Sequence, residues 1–363
     1  MKMKKYLIAI FLLVFCGKLF AQDPSFSQFY FNQLYYNPAF CGFTGGTYVS
    51  ATYRSLWPTL PGHYNSQKFS WEYNIPNDFG LGGIGVIVAN DDEGPSNLSS
   101  GNLKTISIGV PFSIRPVSFS KKNDFNFQFG VEPSIIQKSI NWDKLIFSDQ
   151  YSPVDGDFIT SSSFSGKDDN SGRIVPDLAV GGVFDYRQKL NRLYYHITGG
   201  IACYHILEPS HFFYNFESVL PRKLVIHTSI QRDLKSDNSI SFTGVYEGQK
   251  KMKTYLFGSN FLFNHTVYVG TWFRTWTAPL GNADAVIFIA GAGIPAYSKR
   301  YHPFVSLSYD LTVSKLAGAA NNALEINISV LIDQKTNNKC KHKRYVDPFI
   351  TIEHAVKSQF QYK

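Results

Sequence analysis

Between Phe304 and Asp333 the chain alternates apolar and polar residues almost without a break, and this alternation restricts what it can fold into. Val305, Leu307, Tyr309, Leu311 and Val313 are separated by Ser306, Ser308, Asp310 and Thr312. Leu324, Ile326, Ile328, Val330 and Ile332 then alternate with Glu325, Asn327, Ser329 and Asp333, with Leu331 alone out of pattern. A period of two describes an extended strand with one apolar and one polar face. A soluble sandwich uses such strands with the polar face in water. A membrane barrel uses them with the apolar face in lipid and the polar face in a wet lumen.

The same pattern recurs through the chain, punctuated by turn residues. It marks fourteen segments, near 46–56, 64–75, 81–91, 102–114, 125–138, 174–187, 192–207, 222–233, 238–247, 252–263, 265–275, 283–293, 300–313 and 322–333. The segment 252–263 is aromatic on both faces, which leaves its register open. Connections after odd segments are long, as at 92–101, 139–173, 208–221 and 314–320, while those after even segments are mostly short. Exceptions are 115–124, long on the short side, and 248–250, short on the long side. Separation of loop length by parity is the habit of outer-membrane barrels, and two packed sheets have no reason for it. Composition agrees: 16% of residues are aromatic and only 17% charged, against about 25% charged in soluble domains. The expectation is an all-β fold, a transmembrane antiparallel outer-membrane β-barrel of about fourteen strands over 46–333. Closure removes the strand edges that lipid would not tolerate.

A charge facing lipid at mid-depth costs about 2–4 kcal/mol for Arg or Lys. Arg54, Lys68, Glu72, Glu132, Arg274, Asp310 and Glu325 are therefore expected to line the lumen and pair across it. Residues 1–21 read as a secretory signal peptide: Lys2, Lys4 and Lys5, an apolar run, and a small residue, Ala21, before Gln22. Residues 22–45 then form an N-terminal segment. Asp23 and Pro24 suit a helix start, Phe26, Phe29, Tyr30 and Leu34 make a helical stripe, and Asn37-Pro38 ends it. An aromatic helix there is expected to tuck across the periplasmic mouth as a plug.

The net charge is +8, but the lysines of 1–21 and the tail 334–363 hold all the excess, leaving −1 on 22–333. Nucleic-acid binding by the body has no support. In the tail, Lys341, Lys343 and Arg344 sit in a cationic run, followed by Val346, Phe349, Ile350 and Ile352. The run suits attraction to anionic lipid headgroups or peptidoglycan, and equally the docking of a periplasmic protein. Both termini are expected on the periplasmic side.

No arrangement of reactive residues stands out. The sequence has neither a Gly-x-Ser-x-Gly elbow nor a His-Glu-x-x-His pair, and no cofactor motif. Gly80 to Gly85 has dinucleotide-like glycine spacing, but inside a strand pattern with no helix after it. Cys41, Cys203 and Cys340 make no disulfide framework or zinc spacing, and Cys41 and Cys203 read as small buried residues. His196, His205 and His227 lie within strand patterns with no serine and carboxylate in train. Asp155 and Asp157, with Asp168 and Asp169, fit no calcium loop and read as a solvated acidic loop. Nothing points to an enzyme.

Ordered short motifs give the chain a family likeness. They are Gln22-Asp23-Pro24, Phe26-Ser27-Gln28, Phe31-Asn32, Asn37-Pro38-Ala39 and Gly42, then Tyr53-Arg54-Ser55-Leu56-Trp57, Gly80-Leu81-Gly82 and Gly94-Pro95. Pro176-Asp177, Gly181-Gly182-Val183, Val269 to Arg274 and Tyr309 to Leu316 follow in order. The chain resembles the PorP/SprF family of outer-membrane proteins of the type IX secretion and gliding machinery of Bacteroidetes. It departs at Phe40-Cys41, where the family has a smaller run, and in the long polar loop 139–173. The resemblance implies a non-catalytic role in exporting or anchoring a large adhesin that carries a type IX C-terminal sorting domain. It also implies contact with the periplasmic ring and trunk. On that reading Asp155, Asp157, Phe212, Phe213 and Tyr214 in the outer loops, and Lys341, Lys343 and Arg344 in the tail, are candidate partner contacts. The alternative is a passive porin-like channel for small solutes.

Overall fold

A computed structural model describes residues 23–58, 62–75, 81–95, 103–116, 125–140, 145, 147, 150, 172–190, 193–213, 216–234, 238–264, 266–276, 282–295, 300–314 and 322–334. The strands are β1 (Thr47–Leu56), β2 (Gly62–Asn74), β3 (Leu81–Pro95), β4 (Leu103–Gly109), β5 (Phe112–Ile114), β6 (Phe125–Ile140), β7 (Ile174–Leu190) and β8 (Leu193–Tyr204). They continue as β9 (Ser210–Phe213), β10 (Phe216–Val219), β11 (Lys223–Asp233), β12 (Ser239–Gln249), β13 (Met252–Phe263), β14 (Val267–Trp276), β15 (Asn282–Gly293), β16 (Tyr301–Thr312) and β17 (Ala323–Ile332).

Every strand of the wall pairs antiparallel with its neighbours, and β1 pairs with β17 over its whole length, so the sheet closes. β4 and β5 are halves of one wall strand, interrupted at Val110 and Pro111, where proline has no N–H to give the ladder. β9 and β10 form a separate hairpin in the connection after β8. Fourteen staves remain, at the positions the alternation marks. The basic tail, 335–363, and residues 1–22 lie outside the described residues.

Side-chain exposure settles the choice between sandwich and barrel. On β17, Glu325, Asn327 and Ser329 are buried, while Leu324, Ile326 and Ile328 are exposed, Ile328 by 55%. On β1, Ser50, Thr52 and Arg54 are buried and Tyr53 is exposed. Phe69, Ile201, Phe242, Phe257 and Phe288 extend the exposed apolar band around the outside. In water this arrangement would be inverted at great cost; in hydrocarbon it is the favoured one. No helix among the described residues is long and apolar enough to cross a membrane, so strands do the crossing.

The wall has a long-connection end, bearing 141–173 and 205–222, and a short-connection end, bearing 191–192 and 264–266.

Candidate functional site: the filled lumen

Residues 23–46 run inside the barrel. Asp23 lies beside Gln249 and Lys223, where β12 ends and β11 begins. Gly42 lies beside Glu72, near the far end of β2. The segment therefore descends the lumen from the long-connection end to the short one, which corrects the expectation of a helix laid across one mouth. Over the described residues it also corrects the expectation that both termini share one side: Asp23 lies at the long-connection end, whereas Gln334 donates to the Asn74 carbonyl at the short-connection end. The single helix from Asp23 is also corrected. Residues 23–28 have no helical structure, and they are followed by a 3-10 turn at Phe29–Phe31, a one-turn helix α1 (Gln33–Tyr36) and a second 3-10 turn at Pro38–Phe40. The reason is where the backbone donors go. The Asp23 N–H donates to Gln249 at 3.2 Å, the Ser27 N–H to Glu325 at 2.7 Å and the Gln28 N–H to Glu325 at 3.2 Å. Wall side chains replace the carbonyls that a helix would have supplied. Asn37 does end α1, as its pairing with Pro38 suggests.

The segment meets the wall in two ways. Against β1, β16 and β17 the contact is a charged knot. Arg54 reaches Asp310 at 2.8 Å and Glu325 at 3.1 Å; Arg274 reaches Asp310 at 2.9 Å and Asp284 at 2.6 Å. Ser27 sits at its centre: its hydroxyl donates to Asp310 at 2.7 Å and accepts from both arginines. Gln28 and Asn32 donate to the backbone carbonyl and the carboxylate of Glu325, at 3.0 and 3.2 Å. A buried carboxylate survives only with such donors, because desolvation alone would neutralise it.

Against β11 to β16 the contact is apolar. Phe31 stacks on Phe304 with ring centroids 5.3 Å apart and meets Tyr268 edge-on at 5.8 Å; Tyr30 meets Trp272 at 6.1 Å. Val225, Val245, Leu256, Ile287 and Ile289 point inward to complete this core. The expectation that 252–263 is aromatic on both faces is corrected: Tyr255, Phe257, Phe261 and Phe263 share the outward face of β13, and the inward face carries Leu256, Asn260 and Leu262.

Close backbone approach fixes the lower half. A Cβ on Gly83 would lie 2.6 Å from the Gly42 Cα, and one on Gly130 would lie 2.3 Å from the Ala39 nitrogen. Gly83 and Gly85 thus give the segment room to pass. Asn37 accepts from the Ala39 N–H at 2.9 Å and donates to the wall carbonyls of Gly182 and Ile201 at 3.1 and 3.2 Å.

All seven expected lumen residues are buried. Arg54, Arg274, Asp310 and Glu325 meet in the knot. Lys68 donates to the Phe31 carbonyl at 3.2 Å, and Glu72 accepts from the Gly42 N–H at 2.7 Å. Glu132, on β6, leaves one carboxylate oxygen without a hydrogen-bond partner. Cys41 is fully buried in the segment, but Cys203 is half-exposed on the outward face of β8, which corrects its reading as a core residue. Among the described residues no cluster fit to hold a metal occurs.

His205 is a residue whose role the sequence hid. It follows β8 rather than lying within it, and bridges Asp23 and Asp177, each at 2.7 Å. Burial pushes the imidazolium down, but the two carboxylates outweigh it and bring its pKa up to about 9. Burial also opposes ionised Asp23, yet His205 and Lys223 hold its carboxyl well below the usual range. Lys223 and Glu247 pair at 2.8 Å, and Glu247 accepts from the Ser25 hydroxyl at 2.8 Å. Together these clasp the top of the segment.

Of the candidate partner contacts, Phe212 and Phe213 lie on β9, paired in register with Glu217 and Phe216. Asp155, Asp157, Tyr214, Lys341, Lys343 and Arg344 lie outside the described residues.

A closed barrel, apolar outside and filled by a stretch of its own chain, defines an integral outer-membrane protein with an internal plug. The family model for the type IX secretion system membrane protein PorP/SprF matches residues 18–330, and the chain belongs to that family. Four of the motifs that carry the likeness, those around Ser27, Arg54, Arg274 and Asp310, meet in the knot. Among curated proteins, none matches. Solved structures of similar fold include the CymD monoaromatic hydrocarbon channel, at 12% identity over 87% of this chain and 95% of that one, with a TM-score of 0.46. Others are the Pseudomonas putida toluene transporter TodX (11%, 87% and 98%, TM-score 0.39) and Omp33 of Acinetobacter baumannii (9%, 79% and 98%, TM-score 0.37). At such identities the likeness says nothing of ligand or cargo.

Proposed function

We propose that this barrel is a non-enzymatic component of the type IX secretion system that serves in export or surface anchoring of a large adhesin, and that the same anchor serves gliding. The long-connection end faces outward and holds the adhesin's C-terminal sorting domain. The short-connection end and the basic tail face the periplasm and contact the ring and trunk proteins. The observation that supports an anchor over a passive channel is the plug: residues 23–46 bond to the wall on β1, β2, β6, β12, β16 and β17. A passive channel of porin type conducts through an open, water-filled lumen, which a segment bonded to the wall on so many strands obstructs.

Shortening 141–171 and removing the β9–β10 hairpin, with the barrel intact, should release the adhesin into the medium while the protein stays in the outer membrane. Full retention of the adhesin by the shortened protein would refute the anchor. Solute-dependent conductance of the intact protein would favour the porin-like alternative.

A further inference from the structure

Above the plug, at the long-connection end, a cavity of about 250 Å³ opens between residues 23–25 and the ends of the strands. It is many times the ~10–15 Å³ that one water needs. Its lining holds five carboxylates, from Asp23, Glu93, Glu247, Asp284 and Asp310, against three cations, Arg54, Lys223 and Arg274. Each cation is already engaged: Arg54 with Asp310, Arg274 with Asp284, and Lys223 with Glu247. Asp23 is held by His205. Glu93 has no ion-pair partner among the described residues. Asp310, 1% exposed, keeps one carboxylate oxygen with no hydrogen-bond donor.

Carboxylates thus outnumber cations in the lining, even with Lys138 on β6 near enough to act on Glu93 and Asp23 without pairing to either within 4 Å. Trp57, Tyr64 and Trp276 stand in the same lining, with the Trp57 and Tyr64 rings edge-to-face at 5.3 Å. Aromatic faces beside Glu93, the lining carboxylate without an ion-pair partner among the described residues, favour a cation on an apolar stem.

We propose that this vestibule receives a lysine or arginine side chain from a polypeptide that docks at the long-connection end. The ammonium or guanidinium group enters beside Glu93, which stands opposite Tyr64 in the ladder, and its methylene stem lies against Tyr64 and Trp57. An anionic or purely apolar ligand would leave that carboxylate unmatched, which is the stronger penalty. The inference rests on reading this end as the partner-facing one, and it names the chemistry that end selects.

The test uses the full protein in detergent micelles, with hexalysine and hexaglutamate as probes and tryptophan emission as readout. Hexalysine should change the emission saturably and hexaglutamate should not. Trp57→Phe with Trp276→Phe should remove the response, which locates it in this cavity. Glu93→Gln, which breaks no ion pair, should weaken hexalysine about five- to tenfold while the β circular-dichroism signal is unchanged. Equal binding of both peptides, no binding of either, or full affinity in Glu93→Gln would overturn the proposal. Because no adhesin is involved, failure here leaves the loop-shortening result to judge the anchor separately.

Discussion

The two sides of the plug are held by different physics. Toward β1, β16 and β17 the segment is bonded through Ser27, Gln28 and Asn32 to a buried knot of charge. Toward β11 to β16 it is packed through Tyr30, Phe31 and Phe40 into an apolar core. Apolar packing is non-directional and tolerates small shifts of position. The knot does not: each oxygen of Glu325 accepts from a particular backbone or side-chain donor. Packing therefore supplies much of the plug's stability, and the knot sets its height and register in the lumen. Substitutions on each side of the segment test that division of labour.

The largest effect is expected on the charged side. Arg54→Ala would leave Asp310 and Glu325 short of a cation, at a cost of about 3–5 kcal/mol. Thermal unfolding should fall steeply, and the upper end of the segment should become open to added protease. Phe31→Ala removes the ring stacked on Phe304, at about 3–5 kcal/mol or somewhat less if the core collapses around it. Stability should drop there too, but protection of residues 23–28 from protease should survive. If both variants expose those residues equally, the knot has no special role in register. Ser27→Ala is expected to cost about 1–3 kcal/mol, since it leaves Asp310 one donor short without removing a charge. Gly83→Ala puts a methyl 2.6 Å from the Gly42 Cα. It should cost about 1–3 kcal/mol by overpacking and loosen only the lower end.

The smallest effect concerns pH. His205 has a raised pKa, so its contribution is complete below its ordinary value of about 6.5 and is lost as pH rises through about 9. The lowered Asp23 contributes above its ordinary value of about 4 and loses its share only in stronger acid. The clasp should thus be firmest near pH 4–6.5, with protease access to residue 23 increasing above pH 9. His205→Gln should flatten that alkaline rise, which amide protection or limited proteolysis can follow.

The wall was legible because its signal is local: each strand declares its two faces within a few residues, as at Glu325 to Ser329. Lumen charges followed from the cost of a charge in lipid. The plug's course was not legible, because its bonds are long-range. Ser27 bonds to Asp310 and Gln28 to Glu325, hundreds of positions away, and no local pattern marks backbone donors that wall side chains will satisfy. Its apolar stripe looked helical, yet almost every side is buried, so periodicity carried no direction. His205 escaped for the same reason: its partners, Asp23 and Asp177, approach from distant stretches. Inward-facing Leu256 and Leu262 blurred β13 because the lumen there is lined for aromatic rings rather than water.

The central claim, that residues 23–46 fill the lumen, is tested most directly by single-channel conductance in planar bilayers. The intact protein should be nearly silent, and the variant lacking 23–40, checked for its β circular-dichroism signal, should open a stable pore. A steady open-pore current from the intact protein, unchanged by that deletion, would contradict it.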